Sequence, residues 1–371
     1  MAVMKVLVTG ANGFIGKNLC VTLSRNKSHE IVKITRSTTV SELEALVKTV
    51  DFIFHLAGIN RPDDESEYYE GNSDLTEVIC NLVKQTGRNI PIVFTSSIQA
   101  ERPNAYGRSK LQAEIHLLNL YMETGNFVYI YRLPNVFGKW CKPNYNSVVA
   151  TFCHNISHGL PIQINNRETE LSLVHIGAVI TSFNEILSSR PNDRLYIDVE
   201  PVYCVTLGEL ADQLYKFKES RETLITEPVG DGLTRVLYAT YISYISPDHF
   251  NYELTRHEDE RGAFVEMLKT RDSGQFSFFT AYPGVTRGGH YHNVKTEKFL
   301  VIQGKARFRF RHIITDEICE LFTSGDKPEV VETVPGWSHD ITNVGEQEMI
   351  VMLWANENFD RDRPDTVTFE V

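Results

Sequence analysis

Near Ser246 the hydrophobic periodicity of this 371-residue chain changes character, and that change limits what each part can fold into. Upstream, short apolar runs (KVLVTG, EIVKITR, DFIFHLAG, IPIVFTSS, FVYIYRLPNVFG, RLYIDV) alternate with helix-length amphipathic stretches. Phe14 to Asn26, SELEALVKT, DLTEVICNLVKQTG and SKLQAEIHLLNLYMETG are such stretches, and the alternation is that of βαβ units in a mostly parallel, doubly wound α/β sheet of Rossmann type. Downstream, segments such as QFSFFTAYPG, EKFLVIQGKARFRFRH and EQEMIVMLWANE replace helices with period-two alternation and glycine turns, which predicts an antiparallel all-β domain. The stretch YISYISPDHF, containing Pro247, is the junction, giving domains 1–246 and 247–371.

Charge and cysteine usage narrow the partners. A net charge of −11 opposes the broad positive surface that phosphate neutralisation requires, so nucleic acid is not an expected partner. No apolar run reaches the roughly 18 residues of a membrane-spanning helix, and MAVMKVLVTG enters a strand without a signal-peptide pattern. No membrane partner and a cytoplasmic location are therefore expected. The six cysteines lie far apart without a CxxC pair, as in a reducing compartment.

Directly after the first strand, Gly10-Ala11-Asn12-Gly13-Phe14-Ile15-Gly16 opens a helix. Glycines there permit a tight turn and close approach to a pyrophosphate, while the helix N-terminus offers donors and positive dipole. At the end of the second strand the usual ribose-binding carboxylate is missing and Arg36 stands in its place, which suits a 2′-phosphate and favours NADP over NAD. Tyr106 and Lys110 lie one helical turn apart, and an ammonium beside a phenol stabilises its phenolate, which makes Tyr106 a usable proton donor. Thr95, Ser96 and Ser97 end a strand, where a hydroxyl can orient a carbonyl.

An isolated YxxxK is common by chance. In combination, however, Gly10 to Gly16, His55-Leu56-Ala57-Gly58, Asn72 before Thr76, Thr95-Ser96-Ser97, Tyr106 with Lys110, and Arg132 to Gly138 resemble the extended short-chain dehydrogenase/reductases, in the same order. That resemblance implies a substrate among nucleotide-activated sugars. It implies Tyr106 as catalytic acid, Lys110 on the nicotinamide ribose, Ser97 (or Ser96) at the carbonyl, Asn135 near the substrate, and Leu56, Ala57, Gly58 and Leu133 along the cofactor. The spacing from Ser97 to Tyr106 is short for that family. The brief segment between Arg36 and Asp51 implies a trimmed sheet, as in reductases of 4-keto sugars.

In the all-β part, Gly284, His290, His292, Glu297 and Gly304 form G-x5-H-x-H-x4-E-x6-G, and Gly336, His339 and Asn343 form G-x2-H-x3-N. His290 and His292 alternate on one strand and so face one side. The two motifs resemble those of the cupin superfamily, a jelly-roll fold. Three imidazoles and one carboxylate suit Zn2+, with manganese or iron as other candidates. Arg307, Arg309 and Arg311 alternate with apolar residues, as on a solvated strand face that can also contact a diphosphate.

Across nearly the whole chain, the order of reductase then cupin resembles the family of bacterial capsular polysaccharide synthesis enzymes of the CapF type. That resemblance implies a homodimer formed through the cupin and a UDP-linked keto-deoxy amino sugar as substrate. It also implies C3 epimerisation at the cupin, and C4 reduction with NADPH to a UDP-N-acetyl-6-deoxytalosamine product on the route to UDP-N-acetyl-L-fucosamine. The competing readings are a simple 4-keto-sugar reductase with a structural, dimerising cupin, a non-enzymatic dinucleotide sensor that retains Tyr106 and Lys110, and an iron cupin dioxygenase with a cofactor-binding appendage.

Overall fold

Alternation and punctuation in the sequence translate directly into strands and crossovers. The computed structural model describes residues 3–62, 64–362 and 364–371. It separates into two units, Met1–Leu214 with Arg235–Ile245, and Tyr215–Thr234 with Ser246–Val371.

The first unit starts with β1 (Met4–Thr9), α1 (Phe14–Leu23), β2 (His29–Ile34), α2 (Val40–Val47) and β3 (Phe52–His55). Thr39 and Glu42 form a reciprocal capping box that fixes the start of α2. Next come α3 (Ser66–Tyr68), a π-helical turn (Tyr69–Asp74), α4 (Leu75–Thr86), β4 (Ile92–Ser97), α5 (Ala105–Thr124) and β5 (Val128–Leu133). The strands join in the order β2-β1-β3-β4-β5, all parallel. The order in which successive strands are added reverses between β1 and β3, and ligands of open α/β sheets bind outside the carboxyl ends of the strands at such a switch point. Two apolar clusters cover the faces of the sheet, one including Val6, Phe54, Tyr131 and Phe183, the other Leu7, Ile53, Phe94 and Leu117.

FVYIYRLPNVFG does not form one strand. Pro134 has no N–H to donate to a ladder, so β5 stops at Leu133 and β6 (Asn135–Phe137) joins a separate sheet. That sheet also holds β7 (Glu170–His175) and β8 (Val202–Thr206), and α6 (Val148–Ser157) and α7 (Ile176–Ser188) complete this region. RLYIDV, read as a strand, contributes only a single bridge from Tyr196 to Ile130 at the edge of the main sheet, between Pro191 and Pro201. α8 (Leu207–Thr223) contains the division between the units, and α9 (Gly232–Ile242) follows.

The second unit is antiparallel throughout its named strands: β9 (Arg256–Asp259), β10 (Gly262–Lys269), β11 (Gln275–Ala281), β12 (Thr286–Tyr291), β13 (Glu297–Gln303), β14 (Lys305–His312), β15 (Ile318–Ser324), β16 (Val330–Glu332), β17 (Trp337–Asn343), β18 (Met349–Ala355) and β19 (Val367–Thr368). Two sheets, β16-β13-β18-β11-β10-β9 and β15-β14-β17-β12-β19, form a jelly-roll sandwich of cupin type. Phe279, Phe299, Val301, Phe308, Phe310, Ile341 and Val351 fill the space between them. Strand alternation sends Glu297 on β13 and His339 on β17 into the same interior.

Candidate active site and metal centre

The glycines after β1 sit where a side chain has no room. Gly10 has φ +65°, and a Cβ on it would fall 2.8 Å from the Ala57 nitrogen; a Cβ on Gly16 would fall 2.2 Å from the Gly10 carbonyl oxygen. α1 begins at Phe14 with Gly13 as its N-cap and no side-chain cap, so its first N–H groups stay open to an anion. Asn12 and Gly13 are exposed, and Phe14 and Ile15 half-buried. Thr9 Oγ1 accepts from the Leu56 and Ala57 nitrogens, each at 3.1 Å, and lies 2.8 Å from His55 Nδ1. Burial, with the Lys110 charge nearby, pushes His55 down to about 3, so this connector between β1 and β3 is neutral. Arg36 is exposed just past β2. These features fit a dinucleotide diphosphate at the switch point.

Ser96 and Ser97 end β4 on opposite faces. Ser96 Oγ donates to Glu114 Oε1 at 2.5 Å, and the fully buried Glu114 is also clamped by Arg132 and by the Tyr196 hydroxyl. Ser97 instead caps a 3-10 turn, accepting from Gln99 N at 3.1 Å, and its hydroxyl lowers the pKa of Tyr106. The short Ser97–Tyr106 connection works because Gly107 lets α5 close onto that turn; a Cβ there would fall 2.2 Å from the Gln99 carbonyl oxygen.

Lys110 is buried and donates to the Thr95 carbonyl at 3.0 Å. Beside it, the π-helical turn directs the buried Asn72 inward, where Oδ1 accepts from Ile59 N at 2.9 Å and Nδ2 donates to Ser109 Oγ at 3.0 Å. A Cβ on Gly58 would fall 2.9 Å from Asn72 Oδ1 and 3.0 Å from Lys110 Nζ, so Gly58 leaves the space between them open. Leu133 is buried at the end of β5, in register with Ser97. Asn135 lies on β6, exposed, with Nδ2 donating to the Ser172 carbonyl.

The electrostatics differ from the simple Tyr-Lys expectation. Burial raises Tyr106 to about 12, against the lowering effect of Ser97, and burial depresses Lys110 to about 8, against the raising effect of Glu114. Desolvation outweighs any stabilisation of the phenolate, so Tyr106 holds its proton at neutral pH.

In the second unit, His290, His292, Glu297 and His339 present ligand atoms all within 4.8 Å of one another. His292 Nε2 lies 3.2 Å, and His339 Nε2 3.5 Å, from the same Glu297 oxygen; the other carboxylate oxygen pairs with Lys295 Nζ at 2.9 Å. Neither ring nitrogen of the buried His339 completes a hydrogen bond. Burial, then His339 and His292, push the His290 imidazole down to about 4, leaving it neutral. Burial opposes ionisation of Glu297, but His292, His339 and Lys295 outweigh it and hold the carboxyl well below the usual range. A neutral His290 imidazole, an ionised carboxylate and the orphaned ring nitrogens of His339 fit a divalent cation with tetrahedral or higher coordination.

Arg307, Arg309 and Arg311 each face a carboxylate, Glu320, Asp340 and Asp316 respectively. Their charge is neutralised locally. Glu114, Lys295 and the role of Asn72 escaped the sequence reading. Glu114 had a signal, falling one turn after Lys110 on the same helix face.

Residues 6–193 match the NAD dependent epimerase/dehydratase family, and residues 257–367 match the polysaccharide biosynthesis C-terminal domain. A Pseudomonas aeruginosa protein named UDP-2-acetamido-2,6-beta-L-arabino-hexul-4-ose reductase is 58% identical over 368 residues, covering 99% of each chain. The crystal structure of the capsular polysaccharide assembling protein CapF from Staphylococcus aureus superimposes with a TM-score of 0.92 at 44% identity, over 99% of this chain and 100% of that one. A UDP-glucose 4-epimerase from Thermotoga maritima shares the fold alone, with a TM-score of 0.55 at 18% identity over 65% of this chain and 98% of that one.

Proposed function

The chain belongs to the NAD dependent epimerase/dehydratase family and, over its full length, to the family that includes CapF, and from that premise we propose a bifunctional nucleotide-sugar enzyme of capsular polysaccharide synthesis. Its substrate is a UDP-linked 4-keto-6-deoxy-N-acetylhexosamine, epimerised at C3 by the cupin and reduced at C4 by the Rossmann domain to UDP-N-acetyl-6-deoxytalosamine, towards UDP-N-acetyl-L-fucosamine. The observation that carries this reading is that one chain holds both a Ser97–Tyr106–Lys110 cluster and a His290/His292/Glu297/His339 cluster. The first suits carbonyl reduction and the second suits acidification of a C–H beside a carbonyl.

In the reductase, Gly10, Asn12, Gly13, Phe14, Ile15 and Gly16 cradle the diphosphate, Arg36 takes the 2′-phosphate, and Leu56, Ala57, Gly58 and Leu133 line the cofactor. NADPH, when bound, supplies the hydride. Tyr106 gives its proton to the carbonyl oxygen, Ser97 orients that oxygen, Lys110 holds the ribose, and Asn135 faces the sugar. In the cupin, His290, His292, Glu297 and His339 hold a divalent metal, Zn2+ first. Bound there, it supplies Lewis acidity towards the keto oxygen.

We assign homodimerisation to the β16-to-β9 sheet. Its residues that alternate away from the core, among them Met267, Phe276, Phe278, Ile302, Ile350 and Met352, line an apolar groove, with Met267 45% and Ile302 47% exposed. Apolar side chains clustered on one outer sheet face mark an interaction surface more than singly scattered ones do. A cytoplasmic location accords with six free cysteines, and among the described residues no helix is long and apolar enough to cross a membrane.

Proton–deuterium exchange at C3 of the UDP-4-keto sugar, in D2O without NADPH and before and after chelation, tests the reading. Chelator-sensitive exchange supports the bifunctional enzyme. No exchange, with NADPH-dependent reduction intact, leaves a simple reductase carrying a structural cupin.

A further inference from the structure

The C-terminal segment of the second unit touches the surroundings of every ligand in the candidate metal centre. One residue, Asp365, makes most of these connections. Its carboxylate accepts the backbone N–H groups of Asn293 at 3.0 Å, Val294 at 2.7 Å and Lys295 at 2.8 Å, and Asn293 Nδ2 at 2.8 Å. Its main-chain carbonyl accepts from His292 Nδ1 at 2.5 Å. A hydrogen on Nδ1 leaves the Nε2 lone pair of His292 directed towards Glu297 and the cluster.

The same loop carries a second connection. Lys295, whose backbone is held by Asp365, donates from Nζ to Glu297 Oε1, so Glu297 offers its other oxygen to the cluster. Further along, Thr368 pairs with His290 across β19 and β12, and Phe369 N donates to the Gly289 carbonyl at 3.0 Å. Ser338, adjacent to His339, donates its hydroxyl to the Phe369 carbonyl. A strap of a few residues thus orients His292 directly, Glu297 through Lys295, and the strands that carry His290 and His339.

Resting on the metal-centre reading above, we propose that residues 365–369 form the outer shell of that centre, and that Asp365 is its positioning residue. Hydrogen bonds to the second nitrogen of a ligating histidine, or to a ligating carboxylate, fix tautomer and direction, and their removal typically weakens metal affinity about 10–100-fold. Asp365 serves both ends: its main-chain carbonyl takes the His292 Nδ1 hydrogen, and its carboxylate, through several charge-assisted bonds to the 293–295 backbone, holds that carbonyl and Lys295 in place.

The test uses full-length apoprotein and Zn2+, with affinity read by competition against a chromophoric chelator and Tm read with and without Zn2+. Asp365→Ala weakens Zn2+ binding about 10–100-fold and shrinks the rise in Tm that Zn2+ produces. Asp365→Asn keeps the volume and one acceptor oxygen, and falls between wild type and Asp365→Ala. Equal lowering of the apo and Zn2+-loaded Tm, with affinity unchanged, would overturn the proposal, because the strap would then only brace the barrel. Should Asp365→Ala fail to fold, unchanged Zn2+ affinity in Asp365→Asn overturns it equally. Wild-type protein that takes up no Zn2+ would refute the metal centre itself, and the proposal with it.

Discussion

Ser96 donates to Glu114 at 2.5 Å, whereas the next hydroxyl on the same strand, Ser97, lies on the opposite face and works against the burial that raises Tyr106. Strand alternation therefore separates two serines that sequence alone leaves equivalent. Ser97→Ala removes a donor near the reacting oxygen and lowers kcat for NADPH-dependent reduction on the order of 10²-fold. Ser96→Ala leaves the buried Glu114 short of a donor and costs about 1–3 kcal/mol of stability, with a smaller effect on kcat. Steady-state kinetics and urea unfolding separate the two. Reversal of this pattern would move the catalytic role to Ser96.

On the proposed function the two clusters divide one reaction sequence, and single substitutions would separate its halves. Tyr106→Phe keeps the ring but deletes the proton donor, and reduces NADPH oxidation about 10²–10⁴-fold, while C3 deuterium exchange continues. His290→Ala removes an imidazole from the cupin and abolishes exchange. It leaves reduction of a substrate that already has the epimerised C3 configuration. Loss of both activities in either variant contradicts the division of labour.

Lys110 gives the N-terminal unit a pH signature. Burial depresses its folded-state pKa from 10.5 to about 8. Between these values the unfolded chain keeps a proton that the folded chain has released, so this residue makes stability rise with pH across the window. Below pH 8 the full cost of a charged, buried Lys110 is present. Lys110→Met removes it, so the variant's stability relative to wild type is highest near pH 7 and falls by on the order of 3 kcal/mol by pH 10.5. Urea midpoints of the dinucleotide-free protein at both ends measure it. A difference independent of pH would mean that Lys110 is solvated in solution.

What sequence revealed, and what it hid, follows from the range of the interactions. Gly10 and Gly16 were legible because a tight strand-to-helix turn fixes their spacing, and their would-be Cβ clashes are with nearby backbone. His290, His292 and Glu297 were legible because a strand and the turn after it impose their separations. The break at Pro134 was locally encoded yet passed over, since apolar residues continue on both sides. Asn72 depends on a π-helical turn, which no propensity announces. Asp365 carries no motif, and only the closed barrel brings it to Asn293 and His292. The raised pKa of Tyr106 reflects desolvation, a property of packing that spacing does not report.

On the proposed function Arg36 sets which dinucleotide the Rossmann domain prefers. It stands exposed just past β2, where an acidic side chain would otherwise take the two ribose hydroxyls. A guanidinium there gains from the 2′-phosphate of NADPH and has nothing comparable to gain from NADH. A hydrogen bond to a charged group contributes about 1.5–3 kcal/mol, so Arg36→Ala weakens NADPH binding roughly 10–100-fold. NADH binding stays nearly constant, because the lost contact is absent from that complex. Fluorescence titration of both dinucleotides measures the ratio directly. Equal weakening of the two would make Arg36 a general electrostatic contributor, and wild-type preference for NADH would overturn the NADP reading and require another residue to recognise the ribose.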